Sequence, residues 1–371
     1  MLIKRLWFVF AALVLLATCQ PSSAPSSSTP AETPASEGIT VTDALGRTLH
    51  LPAHPQRIVV AGRASVLVVD ALYAFPEAST RVATIATSGQ TAATADFLRL
   101  LDPHLDAKTT LTVDAGPEQI AAWHPDLVVM KQFMAEKLGK SVEALGIPVF
   151  YLQMETPEQY QRELRALGTL FGNPARAEEL AAFYRRKTTL VQEAVAAADG
   201  ARPRVLVLQH TLKGGETAYK VPAPQWLQTS LVRLGGGEPV WVDATTGGGW
   251  SVVSMEQIAA WNPDQIFIVD YFGDPVAAAQ AFSEDETAQH LKAVQQGRVL
   301  PFPADFVSWD QPDTRWVLGM LWMAKQMQPQ AMQAVSLRDE VEDFYRTVYR
   351  ADDAMLQAVW PRLAPYGLGE P

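Results

Sequence analysis

Cysteine is nearly absent: Cys19 is the only one in 371 residues, so no intrachain disulfide can form. Basic residues are in deficit, 30 Lys and Arg against 40 Asp and Glu, for a formal charge of −10. Phosphate backbones are held by clustered Lys and Arg, so a nucleic-acid partner is not expected. The acidic balance favours solubility and discourages non-specific anion binding. Histidines number only six and the one cysteine is taken up by the leader, so no directly bound metal and no resident cofactor are expected. No GxxxxGK[ST] segment is present to cradle a nucleotide, and no GxSxG turn to carry a serine nucleophile. What remains is ordinary globular composition, 48% hydrophobic and 19% charged, with length enough for two domains.

The amino-terminal segment is the least ordinary part. Lys4-Arg5 precedes the apolar run "LWFVFAALVLLAT", and Cys19 follows at once. A basic start and an apolar run of this length predict an export signal over residues 1–19 rather than a spanning helix. "LATC" resembles a lipoprotein processing site, with Cys19 the lipidated first residue of the mature chain and Thr18 a departure from the usual small residue before it. A soluble secreted protein with an incidental cysteine is the alternative. Residues 20–38 are rich in Ser, Pro and Ala and cannot offset their ordering entropy, so they read as a tether of roughly 25 Å r.m.s. reach. Localisation is therefore expected to be extracytoplasmic, in a periplasm or on the outer face of the cytoplasmic membrane, with the chain anchored by lipid.

From residue 39 onward strands and helices alternate. "ITVTDALGRTLHLP" predicts a hairpin turning at Leu45-Gly46-Arg47. "RIVV", "RVATIA", "LVVM" and "VFYL" predict buried strands, and "ASVLVVDALYAF" a helix packed on them. The second half repeats this grammar with "RVLVLQ", "PQWLQTSLVRLGG", "IFIVD", "RVLPF" and "TRWVLGMLWMAKQM". A nonapeptide recurs as well: "EQIAAWHPD" at 118–126 and "EQIAAWNPD" at 256–264 differ only at His124 and Asn262. Each copy closes a helix and leads into a strand, so the chain is expected to hold two related α/β lobes. Residues 174–198 have Pro at the start, early acids and apolar residues near helical spacing, which predicts one helix about 37 Å long. The expected organisation is an N-terminal lobe over 39–173, a connecting helix over 174–199, and a C-terminal lobe with terminal helices over 200–371.

The leader, "DALGRTLHLPAHPQRIVV", the two "EQIAAWxPD" blocks and the long connecting helix, in this order, resemble class III substrate-binding proteins of ABC importers. The resemblance runs over about residues 39–328. It implies two Rossmann-like lobes (parallel sheets flanked by helices) joined by one long rigid helix, with a ligand cleft between them. It also implies a non-enzymatic carrier, a partner ABC permease dimer with its ATPase subunits, and a monomeric state. The ligands of this family include ferric siderophores, haem, cobalamin and oxyanions such as molybdate. By position, the resemblance makes Glu118 and Glu256 permease-docking residues. Two like-charged knobs, one per lobe, suit a two-fold partner. The competing reading is that both acids only stabilise helix N-termini.

Ligands of facing α/β lobes bind at strand ends, where loops meet helix N-termini. In the first lobe this singles out Arg63 in "AGRAS" and Lys131 after "LVVM", two cations suited to a negatively charged ligand. In the second lobe Trp250 lies six residues before Glu256, the spacing that the resemblance assigns to a cleft tryptophan, and Thr112 is its counterpart in the first. His210, Tyr219, Tyr271, Trp309 and Asp310 stand on segments expected at strand ends, where aromatic faces would stack on a large ligand. His210 or Tyr219 could also serve a haem as axial ligand. The leading expectation is a ferric siderophore or similar iron chelate, with cobalamin, haem or molybdate and tungstate as alternatives. The rival of another class is a secreted hydrolase using Glu118 and Glu256 as an acid–base pair, which would need the two carboxylates within about 10 Å of each other.

Overall fold

The computed structural model describes residues 38–87, 91–198, 200–245 and 247–368, so Cys19 and the expected leader and tether lie outside the described residues. The hairpin forms as β1 (Ile39–Thr42) and β2 (Thr48–Leu51), antiparallel with Val41 opposite Leu49. Its turn is held by Asp43, whose carboxylate accepts from the backbone N–H groups of Leu45 and Arg47.

The first lobe is built on five parallel strands: β3 (Ile58–Val60), β4 (Val82–Thr87), β5 (Leu111–Thr112), β6 (Leu127–Lys131) and β7 (Val149–Leu152). They lie in the order β5-β4-β3-β6-β7. β3, β6 and β7 are buried on both faces, as uninterrupted Ile, Val and Leu runs require in a parallel sheet covered by helices. Chain order reverses between β3 and β6. The loops leaving these two strands, which carry Arg63 and follow Lys131, therefore flank the topological switch point where α/β sheets leave a crevice.

The second lobe contains β8 (Arg204–Lys213), β9 (Glu216–Val221), β10 (Glu238–Pro239), β11 (Ser251–Val253), β12 (Gln265–Val269) and β13 (Val299–Pro301). Their order is β11-β9-β8-β12-β13, with β10 beside the start of β8. This sheet is mixed where a parallel one was expected. β8 and β9 form an antiparallel hairpin, and β11 adds antiparallel to β9. The cause is local: Gly214 and Gly215 both hold positive φ, 64° and 87°, the backbone of a two-residue hairpin turn.

The connecting helix runs Pro174–Ala196, about 34 Å at 1.5 Å per residue, with Asn173 capping its first turn through Arg176 N. Two further helices, Leu337–Tyr349 and Asp353–Leu363, pack back onto the first lobe. Arg350 donates to Ala74 O at 2.8 Å, and Arg362 pairs with Asp96 at 3.3 Å. Arg176 of the connecting helix reaches Ala74 O on one side and Thr347 O and Val348 O on the other. The lobes are thus joined by the connecting helix and again by the terminal helices.

The repeated nonapeptide has a structural role in both lobes. His124 and Asn262 take the left-handed conformation, φ 48° and 41°, at the end of the helices Pro117–Ala121 and Met255–Trp261. Both are residue types that tolerate it, so the one difference between the copies is conformationally silent. Asp126 accepts from Gln56 N and Arg57 N at the start of β3, and Asp264 from Arg204 N at the start of β8. Arg57 and Arg204 return the contact by donating to the carbonyls of Trp123 and Trp261. Each copy staples a helix end to the first parallel strand of its sheet. Glu118 and Glu256 take no part in this and stay exposed in the first turn of their helices.

Candidate functional site

Two cavities lie where the strand ends of the lobes face each other. The larger, 840 Å³, is bounded in the first lobe by Ala64, Val66, Leu67 and Thr91–Thr94, in the second by residues 270–276 and 304–308, and also by Arg362 and Tyr366 near the C-terminus. The smaller, 440 Å³, is lined by Lys131, Phe133 and Glu155 of the first lobe and by Gln225 and Trp226 of the second. An aromatic wall runs from one to the other. Trp226 borders the smaller cavity, Trp250 packs edge-on against it with ring centroids 5.7 Å apart, and Tyr271, 6.0 Å beyond Trp250, borders the larger. Phe272 continues the wall and is the most exposed large apolar residue described, at 79%.

Tyr271 is fixed from behind. Its hydroxyl donates to Asp310 Oδ2 at 2.6 Å, and Asp310 also accepts from Ser308 and from Gln228. Burial raises the Asp310 carboxyl above its ordinary range against these bonds, and burial followed by the Asp310 charge pushes the Tyr271 phenol far up. Asp310, expected to face a ligand, is itself fully buried and positions Tyr271 instead. Trp309 is also not on the cleft surface: it is fully buried, and its indole N–H donates to Asp305 Oδ2 at 2.9 Å.

The reason is the company this segment keeps. Residues 305–315 fold beneath the larger cavity to enclose Arg315, which is fully buried. Arg315 bonds Asp70 of the first lobe at 2.9 Å and Asp305 at 2.6 Å, and lies over the Phe97 ring at 4.3 Å. Tyr345 and Tyr349 of the terminal helix donate to Asp305 and Asp70. Such a knot ties both lobes and the terminal helix at one point.

His210 and Tyr219, expected beyond a strand, sit within β8 and β9 directly opposite each other. His210 Nδ1 lies 2.8 Å from Asp270 Oδ2, which orients the ring, and neither His210 nor Tyr219 lines either cavity. Tyr219 packs edge-on against Phe282, as a core ring does. Arg63 stands exposed at 68% with one weak pairing, 3.9 Å to Asp114. Lys131 differs: it is buried, donates to Gln153 O, and lies 4.0 Å from Glu155 Oε1. Burial pulls its ammonium below the ordinary value, with Glu155, Glu163 and Asp313 acting the other way. Its charge is thus answered from within the protein, which removes half of the sequence argument for an anionic ligand.

Trp226 and Glu155 were not singled out from sequence. "PQWLQ" reads as the first turn of a helix, yet the helix runs Leu227–Leu234 and Trp226 is the residue before it, on the loop. Pro224 suits a first helical position, which is why the segment reads as helix from there. Neither Glu118 nor Glu256 lines either cavity. Among the described residues no group of three or more His, Cys, Asp or Glu converges as a metal cage.

A sequence profile described as "Periplasmic binding protein" matches residues 58–306. The chain belongs to this family. That span contains both sheets, both nonapeptides and the aromatic wall. The Haemophilus influenzae molybdate-binding protein MolA is 24% identical over 344 residues, covering 85% of this chain and 93% of that one. A cobalamin-binding protein of Halobacterium salinarum is 24% identical over 329 residues, covering 85% and 83%. The crystal structure of a periplasmic solute-binding protein from Veillonella parvula superposes with a TM-score of 0.68 at 26% identity, covering 86% of this chain and 96% of that one. The architecture is that of class III substrate-binding proteins, two α/β lobes with flanking and linking helices, and the role is binding rather than catalysis.

Proposed function

We propose that this chain is the extracytoplasmic binding component of an ABC importer and that its cargo is a bulky organic metal chelate of the ferric siderophore type. The observation that carries the cargo is the aromatic wall Trp226–Trp250–Tyr271 spanning cavities of 840 and 440 Å³. A tetrahedral oxyanion would fill a small part of that space and has no use for ring faces. A chelate with an organic shell buries its surface on them. In this reading Cys19 carries the lipid anchor, residues 20–38 are the tether, and Glu118 and Glu256 meet the permease as two equivalent knobs.

A second reading, molybdate, is favoured by the likeness to MolA along most of both chains and by the exposed guanidinium of Arg63. Titration of the protein with a ferric tris-hydroxamate chelate is expected to quench tryptophan fluorescence at one equivalent, while sodium molybdate leaves it unchanged. Saturable molybdate binding with no response to ferric chelates would transfer the assignment to the oxyanion.

A further inference from the structure

The smaller cavity brings together two features that ordinarily attract an anion. One is the ammonium of Lys131, buried at the end of β6. The other is the start of the helix Leu227–Leu234, whose preceding residue, Trp226, supplies no side-chain cap. A carboxylate of the protein already stands between them. Glu155 Oε2 accepts from Leu227 N at 3.1 Å, across the lobe boundary, and Oε1 lies 4.0 Å from Lys131 Nζ.

Glu155 is held there from its own lobe. Its backbone N–H donates to Gln159 Oε1, and Thr156 caps the helix Pro157–Phe171 that follows. The preceding residue, Met154, is left-handed at φ 57°, and Glu163 fixes that turn by accepting from Gln153 N and Met154 N. The carboxylate is therefore aimed by four residues of lobe one at a backbone donor of lobe two, next to the tryptophan that begins the aromatic wall.

We infer that Glu155 is a specificity-determining residue of the cleft: it takes the place that an anionic group of the cargo would occupy, so the smaller cavity accepts neutral or hydrogen-bond-donating ligand groups and turns anions away. This deepens the chelate reading and rests on it for the identity of the cargo. The same contact sets how far Trp226 stands from the first lobe, because the bonded N–H belongs to the next residue. An entering anion would have to break the cross-lobe bond and leave Glu155 beside its own charge.

Glu155→Gln keeps an acceptor for Leu227 N and drops the charge, and Glu155→Ala empties the place. Each is titrated calorimetrically with sodium molybdate and, separately, with a neutral ferric tris-hydroxamate chelate. Wild type is expected to give no molybdate heat, and both variants to bind molybdate at least tenfold more tightly than wild type. Adding Lys131→Met to Glu155→Ala is expected to abolish that gain. Folding is verified by the thermal transition, and Glu155→Gln carries the test should Glu155→Ala fail to fold. Variants that gain no molybdate affinity overturn the inference, even where the chelate binds normally. So does a wild type that binds molybdate as tightly as they do. A molybdate gain in variants of a protein that ignores ferric chelates upholds the role of Glu155 and removes the chelate reading alone.

Discussion

At the scale of single residues, the cleft is governed by carboxylates that burial has altered. Glu163 is the clearest. Burial raises its carboxyl from 4.5 to about 7, against the pull of the N–H groups of Gln153 and Met154 and the charge of Lys131. The folded chain therefore holds a proton here that the unfolded chain releases, and between these two values the folded state binds more protons. The sign follows: the contribution is fully present below about 4.5 and is lost as pH rises through about 7. Glu163→Gln retains one acceptor for both N–H groups and removes the titration. Its melting temperature is expected to match wild type at pH 4 and exceed it at pH 8, measured by scanning fluorimetry. An offset independent of pH would contradict this. Residue chemistry of this kind was hidden in the sequence, because Glu155 precedes a helix and Glu163 lies within it, and only the fold brings their charges near Lys131.

At the scale of elements, the repeated nonapeptide was legible as a duplication, and its purpose only partly so. Its Asp and Trp positions belong to the fold: each Asp receives backbone N–H groups at a strand start, and each Trp carbonyl receives an arginine. Asp126→Ala removes two bonds from exposed backbone donors and is expected to cost about 1–2 kcal/mol in urea unfolding, with Asp264→Ala, which loses one such bond and the Lys292 pair, costing about 1 kcal/mol. The two sites share no partner, so the double variant should lose the sum to within about 0.5 kcal/mol. A double variant no worse than Asp126→Ala alone would show that the staples are not independent.

The parallel strands and the connecting helix were readable from apolar runs and caps, because both depend on local pattern. The β8–β9 hairpin was signalled by Gly214-Gly215 but masked by the expectation of a crossover. Trp309 and Asp310 could not be placed from sequence. Their burial follows from Arg315, whose partners Asp70, Asp305 and Tyr349 are spread over nearly the whole chain.

At the scale of the whole molecule, two lobes meet at strand ends, and the connection is doubled by the terminal helices and by the Arg315 knot. Breaking a buried pair of this kind costs several kcal/mol, so wide hinge opening at that point is disfavoured. Cargo is accordingly received in a largely formed crevice whose aromatic wall is supported from behind, by Asp310 under Tyr271. Of the acids that face outward, Glu118 and Glu256, neither lines a cavity, and Glu256 is also bonded to Ser254 at the start of its own helix, which holds its carboxyl below the ordinary value.

The central claim is that this wall is a binding surface for a bulky chelate. The affinity of Trp250→Ala for a ferric tris-hydroxamate chelate, set beside that of wild type, tests it most directly. Loss of the middle ring is expected to weaken binding at least tenfold, about 1.4 kcal/mol, with the thermal transition nearly unchanged, since Trp250 is only half-buried. Equal affinity in the two proteins would contradict the account.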